Sequence, residues 1–474
     1  MESWHSTRVL GEAERQRIHE SVCCILEEMG IKIENRLFLK MMDEFGYPVD
    51  YDKEVVYFPK RIIEEYLKNT GGSKRVKNDL HFNAGGYPAR YVDLETDKVK
   101  EHTFQSSSDF TRVADALENI DTMNCLGIPS DVPPQTQPFY KKLLSWMNTS
   151  KPYSSGEITS VKELPCYIEL CRKYCEYTGK KLADVASVNV HKDYPLFLDR
   201  SKAELVLAAL KEGLSTGVGS GIASIGGTAP VTLAGALVIQ LVDQFSCGLI
   251  NRALYKSNDY GNLSLFFNLG VMDMRNGLNC TSRPEASLLI LAMGDMADFY
   301  GAVSLSIGFG KTQAKTIASV QSGVERFSDF LTGVYAGATG FGSLGIISEP
   351  EGINSMAQLV IDNEIAGILK RIAKGFLVDE ETLAVEVIKD AGYKPVFLGH
   401  PHTARHFRSE LWMPQIFVGG MGYDRWLEEG AETEVDKAKK KAREILETHH
   451  PEGIDDCLKQ ELFEIIKKME GNLS

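Results

Sequence analysis

The sequence has little positive charge, and this shortage excludes one large class of function. The 474 residues include 52 lysines and arginines against 65 aspartates and glutamates, a formal net charge of −13. Nucleic acid binding needs a basic stripe on the protein surface. The one dense lysine run, Lys437 to Lys441, lies between acidic residues and is typical of a solvated helix face. We therefore expect no nucleic acid partner.

Long apolar runs and a regular cysteine pattern are also missing. No stretch approaches the ~20 apolar residues of a membrane helix, and the N-terminus has no apolar signal core. The nine cysteines are an odd number, and Cys166, Cys171 and Cys175 lack the short spacing of a structural zinc site. The sequence thus predicts a protein of the reducing cytoplasm, with no membrane partner.

What the sequence does contain is a long alternation of strands and helices. From residue 106 to 430, short apolar strands rich in glycine and serine alternate with helices of a dozen or more residues. Roughly seven or eight such units favour a TIM-type (β/α)8 barrel over an open sheet. Residues 1–105 predict a helical extension with a hairpin in which YVDL pairs with VKEHTF. Residues 431–474 predict a C-terminal helical segment.

In such a barrel the ligand site lies at the C-terminal ends of the strands. The segment GGTAPVTLAGALV places Gly226, Gly227 and Thr228 at a strand end before a helix. Two glycines allow close backbone approach, and the amides at a helix start favour a carboxylate. Taken singly, each strand-end residue is better explained as a loop residue that caps the next helix. The other strand-end candidates are Ser130, Asp131, Glu157, Asn189, His191, Asn268, Asp273, Phe309, Lys311, Ser348 and Glu349.

The densest polar cluster is GHPHTARHFRSELWMP, from Gly399 to Pro414. Its three histidines, His400, His402 and His406, leave a metal site, a substrate contact and a structural cluster all open. A closed set of metal ligands is missing from the pattern, so we assign no metal to it.

Four motifs in one order resemble the trimethylamine methyltransferase (MttB) superfamily. They are GGTAPVTLAGALV, RPEASLLILAMGDMADFYG, the stretch from AGATGFGSLG to SMAQLVIDNEIAGILKRI, and HPHTARHFRSELWMP, within about residues 100–430. The resemblance implies a β/α barrel that moves a methyl group from an amine to the cobalt of a small corrinoid protein. Founding members carry pyrrolysine near GSLG, where this sequence has Leu344, Gly345 and Ile346. The chain is therefore similar to the branch without pyrrolysine, which demethylates quaternary amines.

The resemblance makes glycine betaine the first substrate to consider, with dimethylglycine as its product. A methyl group on a quaternary nitrogen is already an electrophile, so we assign no catalytic acid or base. The cobalamin or other corrinoid would be supplied by the methyl-accepting partner protein, and the chain would hold no tightly bound cofactor of its own. A zinc-dependent barrel enzyme and a betaine-binding regulatory protein remain alternatives.

The same chemistry suggests which residues form the site. Aromatic faces would hold the cation, and Arg, Lys, His or free amides would hold a carboxylate. For the cation we expect Phe309, Phe341, Tyr335 and Trp412, and for the carboxylate His402, His406 and the Gly226–Thr228 turn. For the corrinoid-facing positions we expect Asn189, Asn268, Gly345 and Ile346. The long N-terminal and C-terminal helices suggest the subunit interface of a homo-oligomer.

Overall fold

The computed structural model describes residues 8–70, 79–154, 158–257, 261–308, 310, 312–393 and 396–473. Eight strands in this part of the chain run parallel and are separated by helices, and we number them in chain order. Their bounds are His81–Ala84 (β1), Thr122–Asn124 (β2), Tyr153–Ser154 (β3), Ser187–His191 (β4), Ser215–Gly219 (β5), Ser264–Phe267 (β6), Ser304–Ile307 (β7) and Gly340–Leu344 (β8).

These strands form two hydrogen-bonded ladders. The first has the order β6-β7-β8-β1-β2-β3, and the second joins β4 to β5. Neighbours within both ladders are parallel. Because Gly340 of β8 pairs with His81 of β1, the last strand returns to the first and the sheet curls. The predicted α/β class with a parallel sheet is confirmed, in the form of a curled sheet with many helices.

Helices connect the strands, and their ends follow ordinary capping chemistry. The Ser319 and Ser355 side chains each accept the backbone N–H of the residue three positions later, which starts a helix. Gly179 and Gly301 end helices in the left-handed conformation. The helices are Glu12–Glu28, Arg36–Glu44, Lys60–Thr70, Phe104–Ala116, Gln137–Asn148, Leu164–Thr178, Leu182–Val185, Arg200–Lys211, Leu233–Tyr255, Pro284–Tyr300, Val320–Tyr335, Met356–Lys374, Val385–Ala391, Pro401–Glu410, Tyr423–Glu428, Glu434–Thr448 and Asp456–Leu473, with 3₁₀ turns at Pro134–Thr136 and Phe397–Gly399.

Smaller strands lie outside the two ladders. The predicted hairpin is confirmed, because Arg90–Val92 pairs antiparallel with Val99–Glu101. The strand just before it, β1, belongs to the curled sheet although it lies within the predicted extension 1–105. Its four residues carry too short a pattern to be separated from the hairpin. The remaining strands are Ile31–Ile33, Val49–Asp50, Val55–Val56, Phe197–Leu198, Ala223–Ile225, Leu269–Met272, Asn279–Cys280, Ile346–Ser348 and Ile353–Ser355.

The terminal helices pack on their own molecule. Glu12–Glu28 lies against Leu233–Tyr255, and Glu434–Thr448 lies against Met356–Lys374. Part of each helix is therefore used for packing within the chain, and the expected subunit interface on these helices stays a prediction.

The helix Leu233–Tyr255 fills the gap between the two ladders. Asn251 accepts the N–H of Val218 in β5 and donates to its carbonyl, at 2.8 and 2.9 Å. On the other side, Gln244 accepts the N–H of Phe266 in β6 at 2.8 Å and donates to its carbonyl at 2.7 Å. Side-chain amides thus satisfy the strand-edge groups that a neighbouring strand would otherwise satisfy.

The same helix corrects one sequence expectation. It is long and apolar enough to cross a membrane, so the statement that no stretch approaches that length is wrong here. Most of the helix is buried inside the protein. Because it is enclosed by two strand edges and by other helices, it is apolar on most of its circumference for reasons of packing.

A buried ion pair connects the ends of β7 and β8. Arg326 and Asp362 are fully buried and lie 2.9 Å apart. Asp362 accepts the N–H of Gly345 at 2.7 Å, directly after β8. Arg326 donates to the carbonyls of Gly310 and Ile346. One charge pair therefore fixes the backbone of two loops that follow neighbouring strands.

We expect Asp362→Ala to lower the free energy of unfolding by about 3–5 kcal/mol, because it leaves the Arg326 charge buried without its partner. Urea denaturation followed by circular dichroism would measure the change. The matched control is Glu386→Ala, which removes the exposed 2.6 Å pair with Lys389 and should change stability by less than about 1 kcal/mol. Equal effects for the two variants would contradict this view of the pair.

Candidate active site

The two faces of the curled sheet differ sharply in burial. Along each strand one set of alternate residues is buried against helices, such as Phe82, Leu265 and Ile307. The opposite set, which we call the inner face, is at least partly accessible at every position except Gly217. The inner face consists of His81, Asn83, Thr122, Asn124, Ser154, Ser187, Asn189, His191, Ser215, Gly217, Gly219, Ser264, Phe266, Ser304, Ser306, Gly340 and Gly342.

This composition is unusual for the inside of a parallel β/α structure. In closed barrels the interior is normally packed by valine, isoleucine and leucine. Here the inner face carries small and polar side chains, and Phe266 is its one large apolar residue. Small, accessible, polar residues do not fill a core, so the inner face has room for a ligand.

Phe266 is the aromatic group on this face. The residue is 40% exposed, while its neighbours Leu265 and Phe267 are buried on the other side of β6. Its backbone is held by the two amide bonds from Gln244, and Gln240 donates to the same carbonyl at 2.6 Å. A Cβ on Gly308 would lie 3.0 Å from the ring. The ring is therefore fixed and closely flanked, and its accessible part can contact a cation.

His191 ends β4 with a defined protonation pattern. Its Nδ1 lies 2.9 Å from the carbonyl oxygen of Ser220. Because a carbonyl only accepts, Nδ1 must carry the hydrogen, and in the neutral ring Nε2 is the acceptor. A Cβ on Gly219 would lie 3.1 Å from Nδ1, so the glycine lets the ring lie across β5.

A buried ion pair supports the backbone beside His191. Lys192 Nζ lies 2.6 Å from Asp243, and both side chains are essentially fully buried. Asp243 also accepts from Ser220 Oγ at 2.5 Å and from the N–H of Gly221 at 3.1 Å. Asn268, directly after β6, donates to the Gly221 carbonyl at 3.0 Å. The loop after β5 is thus held from two sides.

Asparagines line the β1–β2 side of the inner face. Asn83 Nδ2 donates to Thr122 Oγ1 at 3.0 Å. Asn124 Oδ1 is buried and has no hydrogen-bond partner among the described residues. A Cβ on Gly85 would lie 2.1 Å from that oxygen, and Gly85 has φ +110°. The glycine therefore leaves space for an acceptor that a ligand could use.

Carboxyl groups gather beyond the ends of β7 and β8. Gln313 donates its backbone N–H to Glu325 at 2.8 Å and its side-chain amide to Glu349 at 3.5 Å. Asp329 is buried beside them and accepts from Ser287 Oγ at 3.2 Å. Burial raises the pKa of Asp329 to about 7, and the carboxylates of Glu325 and Glu349 act in the same direction. Together with an inner face that has no lysine or arginine, these acids favour a cation.

Two of the predicted corrinoid-facing residues lie within a strand of the sheet or directly after one. Asn189 is on the inner face, and Asn268 follows β6 with its amide on Gly221. Gly345 follows β8 with φ +91° and donates its N–H to Asp362. Ile346 comes next, and its side chain is buried.

The Gly226–Thr228 turn does not offer free amides to an anion. The N–H groups of Gly227 and Thr228 both donate to the Ser224 carbonyl at 2.9 Å, and the N–H of Gly226 donates to Ala229 at 3.0 Å. The turn also precedes a helix that begins only at Leu233. Its hydrogen bonds are internal, so it serves as a tight turn in the structure.

Two predicted cage aromatics lie away from the inner face. Phe341 is buried on the outer face, stacked on Phe82 at 5.0 Å and edge-on to Phe330 at 5.8 Å. Tyr335 ends the helix before β8 and so lies at the N-terminal end of that strand. Phe309, the third predicted cage residue, falls outside the described residues, as do Lys311 and Glu157.

The C-terminal histidines lie at the opposite end of the sheet. Arg371, at the end of the helix after β8, donates to the Glu410 carbonyl at 2.6 Å. Its neighbour Lys370 contacts Asp121, directly before β2. The helix Pro401–Glu410 that carries His402 and His406 is therefore near the N-terminal strand ends. There His406 lies 3.2 Å from Glu381.

Trp412 follows the same helix and lies at the same end. Its ring approaches Gly367, where a Cβ would lie 2.3 Å from the indole. None of the three side chains, His402, His406 or Trp412, is placed to touch a ligand at the C-terminal strand ends. In the sequence these residues follow the last strand–helix unit, and that position alone does not show which end of the sheet they occupy.

The inner face contains residues that the sequence predictions left out. Phe266 was missed, although alternation in SLFF separates it from Leu265 and Phe267. His191 was considered only as one strand-end residue among many, and Asn124 was not considered. For the zinc alternative, the described residues contain no group of three or more His, Cys, Asp or Glu side chains that could hold a metal ion.

Comparison with known proteins places the chain in a family. The family model described as Trimethylamine methyltransferase (MTTB) matches residues 2–474. The trimethylamine methyltransferase MttB of Desulfitobacterium hafniense strain DSM 10664 / DCB-2 is 25% identical over 97% of this chain and 93% of its own. The glycine betaine methyltransferase of D. hafniense strain Y51 is 26% identical over 94% of each chain. The MttB of Methanosarcina thermophila is 28% identical over 94% of each.

Among solved structures, the monomethylamine methyltransferase MtmB of Methanosarcina barkeri aligns with a TM-score of 0.47 and 12% identity, over 93% of both chains. The match of the family model over nearly the whole chain is the decisive finding. The chain therefore belongs to the trimethylamine methyltransferase (MTTB) family and is a methyltransferase.

Proposed function

We propose that this chain transfers a methyl group from a quaternary amine, glycine betaine in the first instance, to Co(I) of a corrinoid carried by a partner protein. The observation that carries the proposal is the accessible, polar inner face with its single aromatic ring, Phe266. We further propose that β1 to β8 form one complete (β/α)8 barrel around that face. The return of β8 to β1 and the bridge made by Leu233–Tyr255 support this closure.

The charge around the inner face supports a cationic substrate. A quaternary ammonium has no N–H and cannot be recognised by hydrogen bonds to its nitrogen. Aromatic faces and nearby carboxylates are what remain to hold it. Phe266 supplies the face, and Glu325 and Glu349 supply negative charge beyond the ends of β7 and β8.

The reaction needs little from the protein except positioning. The N–CH3 bond breaks, its electron pair stays on nitrogen, and the amine leaves uncharged. The electron pair of Co(I) forms the new bond to carbon, so no proton moves. Holding the two reactants in line is worth about 7–11 kcal/mol in favourable cases. The fixed ring of Phe266 and the two buried ion pairs give this chain the rigidity that positioning requires.

The relatives support a methylated amine as the substrate, and which amine it is remains to be proposed. One relative is named a glycine betaine methyltransferase, and others are named trimethylamine methyltransferases. We place glycine betaine first because this chain has ordinary residues at Leu344–Ile346, where the founding members carry pyrrolysine. Asn189 within β4, and Asn268, Gly345 and Ile346 just beyond the ends of β6 and β8, remain our proposed corrinoid-facing positions.

The carboxylate of a betaine needs a different anchor from the one that the sequence suggested. The C-terminal histidines lie at the other end, and the Gly226–Thr228 amides are used internally. We propose that side-chain amides on the inner face take this role, with Asn189 and Asn83 as the candidates. An amide binds a carboxylate through N–H groups without adding charge.

The reaction class is tested by incubating the purified chain with cob(I)alamin and, separately, glycine betaine, proline betaine, carnitine and trimethylamine. We expect conversion of the cobalt spectrum to methylcob(III)alamin with one of the quaternary amines. If the cobalt does not react, the assay is repeated with the corrinoid protein as acceptor. A ligand that raises the melting temperature but supports no transfer to either acceptor would favour the binding-protein alternative. No transfer and no thermal shift would rule out the quaternary amine.

We expect Phe266→Leu to raise KM for the quaternary amine by about 2- to 30-fold, since a cation–π contact contributes roughly 0.5–2 kcal/mol. Leucine keeps an apolar side chain at the position but has no aromatic face. Steady-state kinetics on the methyl transfer assay would give the value. The control is Tyr177→Leu, an exposed aromatic on the helix Leu164–Thr178, which should leave KM unchanged. An unchanged KM in Phe266→Leu would remove this ring from the site.

A further inference from the structure

Three carboxyl groups, which we call the acid cluster, face one another beyond the ends of β7 and β8. Thr281 donates its hydroxyl to Glu349, and the next residue, Ser282, hydrogen-bonds to Asp329. Glu325 lies one helical turn before Asp329 on the same helix, so these two side chains are neighbours. The acid cluster therefore consists of Glu325, Asp329 and Glu349.

Asp329 is the most enclosed member of the acid cluster. It is 2% exposed, whereas Glu325 and Glu349 are partly accessible. Ser287 Oγ donates to its Oδ1 at 3.2 Å, while its Oδ2 is buried and has no hydrogen-bond partner among the described residues. A buried acceptor without a partner is rare in native proteins and calls for an explanation. The carboxyl group is thus incompletely satisfied by the protein itself.

The charged groups that face Asp329 oppose its ionisation. Burial raises the pKa of Asp329 to about 7, and the carboxylates of Glu325 and Glu349 act in the same direction. Arg326 faces the group as well, but its guanidinium is bound to Asp362 and to two loop carbonyls. Because like charges at close range resist ionising together, Asp329 keeps its proton in the empty acid cluster at and below neutral pH.

We propose that the quaternary amine displaces this proton: as the cation binds beside Glu325 and Glu349, Asp329 ionises and becomes a third negative charge that holds it. This inference rests on the proposed function, because the cation is the substrate of that site. One positive charge enters and one proton leaves to the solvent, so the net charge of the occupied cluster is balanced. Asp329 touches none of the reacting atoms, and it acts as a positioning residue.

The exchange of a proton for a cation gives the site a charge that depends on its content. Without a ligand, a neutral Asp329 avoids a third like charge in a place that water screens poorly. With the cation present, the same poor screening makes the new carboxylate attractive. Fewer protons have to be displaced at higher pH, so we expect the affinity for the cation to rise as the pH rises through 7.

Isothermal titration calorimetry of the full chain with glycine betaine tests the inference without any methyl transfer. The titration is run at pH 7 in phosphate and in Tris, whose enthalpies of ionisation differ, so the difference in heat counts the protons released. We expect about half a proton for each betaine bound, because a group with a pKa near 7 is half protonated at that pH. We expect Kd to fall by up to about tenfold between pH 6 and pH 8.

Asp329→Asn keeps the size of the side chain but cannot ionise. It should give equal heats in the two buffers and a Kd that no longer changes with pH, with far-UV circular dichroism like that of the parent chain. The matched control is Asp109→Asn on the helix Phe104–Ala116, because burial also raises the pKa of Asp109. This control should release as many protons as the parent. If Asp329→Asn does not fold, the two-buffer titration of the parent chain decides alone.

Tetramethylammonium chloride is titrated in the same way, so that a site for another quaternary amine is also tested. Binding with equal heats in both buffers would overturn this inference and leave the proposed function standing. Proton release that persists in Asp329→Asn would overturn it too. If neither compound binds, the proposed substrate class and this inference fail together.

Discussion

The ion pair between Arg326 and Asp362 is the constraint on which the C-terminal ends of β7 and β8 depend. Both groups are fully buried, so neither can be solvated, and each must be satisfied by the protein. Asp362 does this by accepting the N–H of Gly345, and Arg326 by donating to the carbonyls of Gly310 and Ile346. These hydrogen bonds join the pair to the backbone that follows β7 and β8. Burying two charges is unfavourable, and the hydrogen bonds that offset this cost also hold the two loops beside the inner face in one geometry.

The helix Leu233–Tyr255 explains how the inner face stays accessible. A strand pair between β5 and β6 would draw those strands to the ~4.8 Å spacing of a sheet. Instead, Asn251 and Gln244 satisfy the two edges from a helix that stands between them. The wider gap between β5 and β6 enlarges the space that the strands enclose. That space is not filled by valine and leucine, because the inner face is lined mainly by serine, asparagine and glycine. The amides on the helix and the polar inner face are two consequences of the same separation.

The sequence predicted the alternation of strands and helices because buried parallel strands and capped helices leave local patterns. Four motifs in one order gave the resemblance to the family, and the match of the family model over residues 2–474 confirms it. Local pattern does not show where distant segments meet. His402 and His406 follow the last unit, and only the contact of Glu410 with Arg371 reveals which end of the sheet they share. Phe341 and Phe266 both look like strand aromatics, yet Phe341 is buried against Phe82 of the neighbouring strand β1, whereas Phe266 on β6 is accessible. For Phe266, the alternation of side chains along a strand would have been enough to predict that it faces away from Leu265 and Phe267.

The two ends of the molecule have opposite physical requirements, and the distribution of side chains follows them. On the proposed function, a methyl donor and a corrinoid partner both enter and leave, which suits the polar, accessible groups of the inner face and the buried ion pairs beside it. Residues 376–393 and 396–427 at the other end carry large exposed apolar side chains, and only Ala391 and Ile416 among them are buried. Apolar surface stabilises only while it is covered, which does not suit an exchanging contact.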